Sequence, residues 1–223
     1  MKRFPLSVAL FFLLLSGWIS STVAQEGALN SVSIENRTGF ELSHLFLSPG
    51  ESGLWGVELL GSKATLKPER TVEYFVHYRE ECERFDVMAI DVDGDSYLLT
   101  DHEICDGQGE SVTITLDDFR GPAPELVFVE LRLVNELPYD IVYLFVSPAD
   151  SPSWGADSLS TTGVLKKGRL ASVYVPASQE RATYHLMAVD EASDIYSFAI
   201  DVSADKSMYQ FPIELADLHE VAN

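Results

Sequence analysis

The residues best suited to chemistry in this chain are three alternating carboxylates, Asp91, Asp93 and Asp95. Carboxylates spaced in this way around a tight turn can surround a hard cation such as calcium. Aspartate also favours turns for another reason, because its side chain hydrogen-bonds its own backbone. A related stretch begins at Asp190 but has Ala192 at the middle position. The pattern leaves two interpretations open: a calcium site at Asp91, Asp93 and Asp95, or a structural turn.

Two tryptophans lie in similar loops, and they are the second candidate. Trp55 follows Ser48 by seven residues, Trp154 follows Ser147 by seven, and a glycine comes directly after each tryptophan. A loop tryptophan can stack on a sugar ring or anchor a partner protein. It can also fold back and plug the end of a β-sandwich, with the glycine permitting the turn. Ser48, Trp55, Ser147 and Trp154 are therefore candidate ligand contacts, with packing as the alternative.

Motifs of known enzymes are absent from the sequence. There is no Gly-x-Ser-x-Gly, the stretch Gly107-Gln-Gly109 is too short for a phosphate loop, and His219-Glu220 lacks the second histidine of a zinc helix. Carboxylates are so numerous that a glycosidase-like pair could arise by accident. We therefore predict a protein that is not an enzyme, with a hydrolase as an alternative.

The chain repeats itself at an offset of 99 residues, the distance from Asn36 to Asn135. This period is far longer than the roughly 20–50 residues of solenoid repeats, so it indicates a duplicated domain. The predicted boundaries are 26–119 for the first copy, 120–125 for a Pro/Gly linker, 126–217 for the second copy and 218–223 for a tail. Matching segments include Leu45-Phe46-Leu47-Ser48-Pro49 with Leu144-Phe145-Val146-Ser147-Pro148, Trp55-Gly56 with Trp154-Gly155, and Met88-Ala89-Ile90-Asp91 with Met187-Ala188-Val189-Asp190.

Each copy reads as a series of β-strands. Residues 111–116 alternate strictly, which places Val112, Ile114 and Leu116 on one face. Residues 45–47 and 141–146 are continuous apolar runs, which favours strands buried on both sides. About six strands per copy, without a long amphipathic helix, predict an all-β protein of two tandem antiparallel β-sandwich-like domains. Small β-barrels are the alternative.

The two cysteines fit a hairpin that turns at Asp93-Gly94. In such a hairpin the residue numbers of paired positions share one sum, 187, and Cys82 and Cys105 satisfy it. We predict a disulfide between them. Regular pairing would make them a hydrogen-bonded pair, an unusual disulfide site, so the prediction also implies a local irregularity. The alternative is a metal site that uses His102 with Cys105.

The stretch from Asn36 to Leu60 resembles a motif of uncharacterised bacterial exported proteins. The shared pattern is Asn-x-Thr-Gly, then Leu-Phe-Leu-Ser-Pro, then Trp-Gly-x-Glu, followed later by an aromatic-Asp strand that leads to an Asp-Gly turn. The second copy is less similar, since Pro138 replaces the glycine and the cysteines are missing. No activity is established for that group, so the resemblance implies export and a β-fold and no site.

Export is predicted from the N-terminus. Lys2 and Arg3 precede an apolar stretch over residues 6–15, and the small residues before Ala24 suit signal-peptidase cleavage. The mature chain would be periplasmic or extracellular, without a membrane span or lipid anchor. Cleavage removes two positive charges and no negative ones, so the net charge of −20 becomes −22.

An excess of acidic residues repels phosphate backbones, so the composition argues against nucleic acid as a partner. A binding or interaction module that contacts an unknown protein or glycan is the favoured function. A structural envelope component that self-associates is the second function class, and the hydrolase is the third.

Overall fold

A computed structural model describes residues 28–50, 52–78, 82–105, 110–178 and 180–221. The predicted signal peptide, residues 1–24, and its cleavage site lie outside these residues. The chain is all-β, which confirms the predicted fold class, and its strands divide at residues 123–126 into a first and a second module. The strands of the first module are β1 (Ala28–Arg37), β2 (Leu42–Pro49), β3 (Thr71–Tyr78), β4 (Cys82–Asp91), β5 (Asp95–Cys105), β6 (Glu110–Thr115) and β7 (Phe119–Pro122).

The second module has the same order of strands, with one short strand added. Its strands are β8 (Val127–Asn135), β9 (Ile141–Pro148), β10 (Gly155–Ala156), β11 (Leu170–Ala177), β12 (Ala182–Asp190), β13 (Ile195–Val202), β14 (Met208–Ile213) and β15 (Leu218–Glu220). A 3₁₀ turn precedes the last strand of each module, at Leu116–Asp118 and at Leu215–Asp217.

Each module is a sandwich of two sheets. In the first module β3, β1 and β6 form one sheet and β2, β4, β5 and β7 form the other. In the second module the sheets are β11-β8-β14 and β15-β13-β12-β9. Most neighbours are antiparallel, as predicted, but β1 with β6 and β8 with β14 are parallel. Strands β5 and β13, which precede β6 and β14 in the chain, lie in the other sheet. The chain therefore crosses the sandwich after them and pairs beside the first strand of its module.

The apolar patterns explain the cores. Val112 and Ile114 are buried in the core of the first module, as the alternation predicts. Leu116 was predicted on the same face, but it begins the 3₁₀ turn and is 58% exposed. Strand β2 is buried on both sides over residues 45–47, as predicted. In β9 the predicted run 141–146 is buried at 141 and at 144–146, but residues 142 and 143 are only half-buried.

The boundaries of the predicted linker and tail need correction. Residues 120–122 belong to β7, which pairs with β5, so the connection between the modules shortens to residues 123–126. Residues 218–220 form β15, which pairs with β13, so the predicted tail is part of the second module. Both strands are only three or four residues long, and the Gly121-Pro122 pair made the first of them look like a linker.

Candidate binding surfaces

A buried asparagine organises the turn between the first two strands of each module. The side-chain amide of Asn36 donates to the carbonyls of Phe40 and Leu66, each at 2.8 Å, and its oxygen accepts from the backbone N–H and the hydroxyl of Thr38. Asn36 is fully buried, so these bonds replace water for the turn. Asn135 donates in the same way to the carbonyls of Tyr139 and Leu165.

A buried aspartate organises the hairpin at the same end of each module. Oδ1 of Asp91 accepts from the backbone N–H groups of Asp93 and Asp95, and Oδ2 accepts from the Tyr97 hydroxyl at 3.1 Å. Burial and this bond to Asp91 raise the pKa of Tyr97 to about 12. The carboxylate of Asp190 binds the N–H groups of Ala192 and Asp194 and the Tyr196 hydroxyl in the same way.

This geometry disfavours the calcium hypothesis for Asp91, Asp93 and Asp95. The Asp91 carboxylate faces backbone N–H groups, which are donors, where a cation would need further oxygen ligands. Within the described part of the chain no group of three or more His, Cys, Asp or Glu is arranged to hold a metal ion. The second copy makes the same hairpin with Ala192 in the middle, which fits a structural turn.

The end of each module that carries these turns and the 3₁₀ turn also carries exposed apolar side chains, and we call this end the tip. In the first module the tip residues are Phe40, Leu116 and Phe119, and in the second they are their counterparts at an offset of 99. The strand registers place them together, since β1 and β6 end side by side and β2 begins where β4 ends. The counterparts are Tyr139, Leu215 and Leu218, and all six side chains are between 41% and 58% exposed.

Ser48 and Ser147 lie inside the candidate loops rather than on their surface. Both are buried, and the Ser48 hydroxyl accepts from the N–H of Gly56 at 2.9 Å. The Ser147 hydroxyl donates to the carbonyl of Ser153 at 2.9 Å. These bonds set the path of the loop after each Ser-Pro, so a ligand contact in this region now depends on the two tryptophans.

The segments that follow each Ser-Pro cross between the modules. We call residues 54–60 the first strap and residues 153–159 the second strap. Val57 of the first strap is part of the apolar core of the second module, and Ala156 of the second strap is part of the core of the first. These two residues are themselves 99 apart, so each module inserts the same position into the other.

Backbone hydrogen bonds fix both straps in this exchange. The N–H of Glu58 donates to the carbonyl of Tyr174 in β11 at 2.8 Å, and the N–H of Asp157 donates to the carbonyl of Phe75 in β3 at 2.7 Å. Strand β10 lies in the second strap and pairs with β3, which makes it an edge strand of a first-module sheet. Each strap therefore adds backbone hydrogen bonds to the edge of a sheet in the other module.

The straps also carry a buried acid each. The Glu58 carboxylate accepts from the N–H groups of Leu45, Leu60 and Gly61. Burial nevertheless raises the pKa of Glu58 to about 7, against the lowering effect of those three bonds. Asp157 accepts from two backbone N–H groups and one hydroxyl, and burial raises the pKa of this carboxyl as well.

Both tryptophans are half-buried beside the straps. Trp55 packs against Phe46, with ring centroids 6.0 Å apart, in a cluster that includes Phe128 of the second module. Trp154 lies against His185 at 6.4 Å. Between the straps is a cavity of about 10 Å³, which holds no more than one water molecule. This cavity is too small for a sugar, and contact through the exposed parts of Trp55 and Trp154 stays a prediction.

The predicted disulfide is present. Cys82 and Cys105 are directly opposite each other in β4 and β5, and their Cα atoms are 4.0 Å apart. The register of the hairpin is not uniform. Near the turn Ile90 pairs with Ser96, which is one position away from the predicted register. A bulge between Phe85 and Val87 restores the register, so the expected irregularity is what brings the cysteines together.

Comparisons with known proteins give little further guidance. No model of a known protein family matches the chain, and no curated protein matches it. Among solved structures, that of a candidate adhesin from Bacteroides ovatus aligns with 87% of this chain and 93% of its own, at 9% sequence identity and a TM-score of 0.27. A likeness at that TM-score carries no argument about fold or function.

Proposed function

We propose that this chain is an exported binding protein that holds another macromolecule, a protein or a glycan, at the tips of its modules. The observation that carries the proposal is the repetition of exposed apolar side chains at matching tip positions. Phe40 and Tyr139 are 44% and 41% exposed, and a buried asparagine holds the carbonyl of each. Exposed aromatic groups on rigid loops lose little entropy on binding, which favours recognition.

Export is the other part of the proposal. The predicted signal peptide supports it, and a disulfide is typical of oxidising compartments outside the cytosol. In the residues that the structure describes, no helix is long and apolar enough to cross a membrane.

Binding rather than catalysis is supported by how the buried carboxylates are used. Asp91 and Glu58 each bind backbone N–H groups, and their counterparts Asp190 and Asp157 do the same. An acid or base for hydrolysis must reach the reacting atoms of a substrate. These four groups face the interior instead.

The test is site-directed photo-crosslinking in the native host. A photoreactive phenylalanine analogue replaces Phe40 or Tyr139, and in matched controls it replaces Leu29 or Met208. These controls are exposed to a similar degree, at 37% and 38%, but begin strands at the opposite end of the modules. We expect a discrete adduct from the tip positions that the controls do not give. Adducts that are the same at all four positions, or none from the tips, would contradict the proposal.

A further inference from the structure

We infer that the contact between the two modules is a self-standing protein–protein interface of the isologous kind, and that the partner it fits is another copy of this module. Such an interface joins identical subunits, and in it a contact from residue i to residue j recurs from j to i. In this chain the partner module happens to lie on the same polypeptide.

The hydrogen bonds of the straps obey this reciprocity. Glu58 donates to Tyr174 in the first bond. The counterpart of Glu58 at the offset of 99 is Asp157, and the counterpart of Tyr174 is Phe75; these two residues form the second bond. The two distances, 2.8 Å and 2.7 Å, are nearly equal. An approximate twofold axis between the modules accounts for this, whereas a chance contact between tethered domains has no reason to occur twice.

Apolar contacts make the interface resemble the interior of a domain. Val57 and Ala156 are 5% and 6% exposed, each within the core of the other module. Aromatic rings pack across the boundary, with His77 against Phe145 at 5.6 Å. Interfaces that look like a divided core are typical of obligate pairs of subunits.

Further ring contacts extend this surface beyond the straps. They are Phe75 with Tyr143 at 5.9 Å, His44 with Phe128 at 5.0 Å, and Phe46 with Phe128 at 6.2 Å.

The glycine of the second strap shows how closely the modules approach. Gly155 has a φ of 67°, which side chains rarely adopt, and a Cβ there would lie 3.7 Å from the carbonyl oxygen of Leu47 in the first module. The backbone of the strap thus passes directly over β2. In the connection, Ala123 and Leu126 pack against the apolar cluster around Phe46, but residues 123–126 form none of the backbone bonds between the straps and the sheets of the other module.

Because the exchanged residues and the strap bonds lie outside the connection, the modules should pair without an intact connection. A chain that is cut between Pro124 and Glu125 should hold together, and modules from two different chains should pair as well as modules from one. Both cysteines lie in the first module, so no disulfide joins the two pieces after the cut.

The experiment begins from the full chain with a protease site inserted between Pro124 and Glu125, which are both exposed. After cleavage, without reductant, size-exclusion chromatography with light scattering at about 1 µM protein should show one species with the mass of both pieces. Two separate species, each with the mass of one piece, would overturn the inference.

A second measurement tests pairing between chains. Cleaved protein in normal and isotope-labelled form is mixed, unfolded together in denaturant and refolded, and native mass spectrometry then reads the pairs. We expect pairs that contain one labelled and one unlabelled piece at the statistical proportion. Pieces that refold without reassembling would overturn the inference.

Strap variants identify the residues responsible. In the cleavable chain, Val57→Asp with Ala156→Asp should separate the pieces after cleavage, because a charge would enter each core. The matched control is Leu54→Asp, on the same strap but 42% exposed, which should leave the pieces associated. Separation in the control but not in the double variant would assign the interface to other residues and overturn the role of the straps.

Discussion

At the tip of each module, one buried asparagine and one buried aspartate satisfy the backbone groups that the turns leave unpaired. In the first module the Asp91 carboxylate accepts from two N–H groups and a tyrosine hydroxyl. A buried donor without an acceptor destabilises the fold more than the original bond stabilised it. The rigidity of the tips therefore depends on a few buried polar atoms.

Replacing Asp91 tests this dependence. Asp91→Ala should lower the free energy of unfolding by about 3 kcal/mol, because three donors lose their acceptor. Asp93→Ala is the matched control, since this side chain is exposed and its backbone N–H is kept; it should change stability by less than about 0.5 kcal/mol. Denaturant unfolding of the two variants makes the comparison. Equal effects would contradict the structural role of Asp91.

Unfolding of the same proteins with and without calcium distinguishes a structural turn from a calcium site. The unfolding midpoint of the unmodified chain should be the same with calcium and with a chelator, because Asp91 is committed to the backbone. A midpoint that rises with calcium in the unmodified chain, but in neither variant, would restore the calcium site at Asp91, Asp93 and Asp95.

Glu58 predicts a pH dependence whose sign follows from its raised pKa. Burial lifts the pKa from an ordinary 4.5 to about 7, so the folded state binds the proton more tightly than the unfolded state. The stabilisation is fully present below about pH 4.5 and is lost as the pH rises through 7, by at most about 3 kcal/mol. Denaturant unfolding from pH 4.5 to 8 should show this decline.

The variant Glu58→Gln separates the contribution of Glu58 to the pH dependence of stability from that of the acidic surface. Repulsion among the surplus carboxylates also weakens the fold as the pH rises, in every variant. Glutamine does not titrate, so the decline should be shallower in Glu58→Gln than in the unmodified chain. Parallel pH profiles would show that Glu58 does not titrate in this range.

Among the elements, the hairpin of β4 and β5 shows what a local pattern can and cannot predict. The Asp-Gly turn and the cysteine spacing were enough to predict the disulfide. The bulge between Phe85 and Val87 followed only from the unusual pairing of the cysteines, since no residue type at this position is typical of a bulge. Asp86 stabilises the bulge through its bond to the N–H of Asp101, a contact between positions 15 residues apart.

The disulfide itself should contribute measurably to the first module. Closing a loop with a sequence separation of 23 restricts the unfolded chain, and this corresponds to about 3 kcal/mol. The double variant Cys82→Ser with Cys105→Ser should be less stable by that amount in denaturant unfolding. Alkylation without reductant, followed by intact-mass measurement, checks the bond first. Two alkylated thiols in protein from the oxidising compartment would contradict its presence there.

The straps mark the limit of sequence-based prediction in this chain. The repeat at an offset of 99 and the Trp-Gly motif were visible, and so was the acid two residues after each glycine. A duplicated sequence cannot show whether Val57 fills its own core or that of the other module, because both cores present equivalent strands. Only the folded arrangement distinguishes the two, and it shows that Val57 and Ala156 are exchanged.

The strands were easier to predict than the straps for a physical reason. Alternation of apolar residues, as at Val112 and Ile114, reports burial on one face directly. The tips were missed because an exposed aromatic such as Phe40 has no local pattern of its own. Its recurrence as Tyr139 at the repeat offset was the available signal.

At the scale of the whole molecule, the exchange of straps predicts that the two modules unfold together. Neither core is complete without a residue from the other module, since Val57 and Ala156 are buried there. Two domains joined only by residues 123–126 would unfold in separate transitions. Differential scanning calorimetry of the unmodified chain should instead give one transition, with equal calorimetric and van't Hoff enthalpies.

Hydrogen exchange extends this prediction to a variant that is damaged in one module only. Cys82→Ser with Cys105→Ser alters the open end of the β4–β5 hairpin in the first module, whereas β12 and β13 belong to the second. If the straps couple the modules, amide protection in β12 and β13 should fall with that of β4 and β5, because the slowest amides exchange only when the whole molecule opens. Protection that falls in β4 and β5 alone would mean that the modules are stable independently, with straps that merely rest on their neighbours.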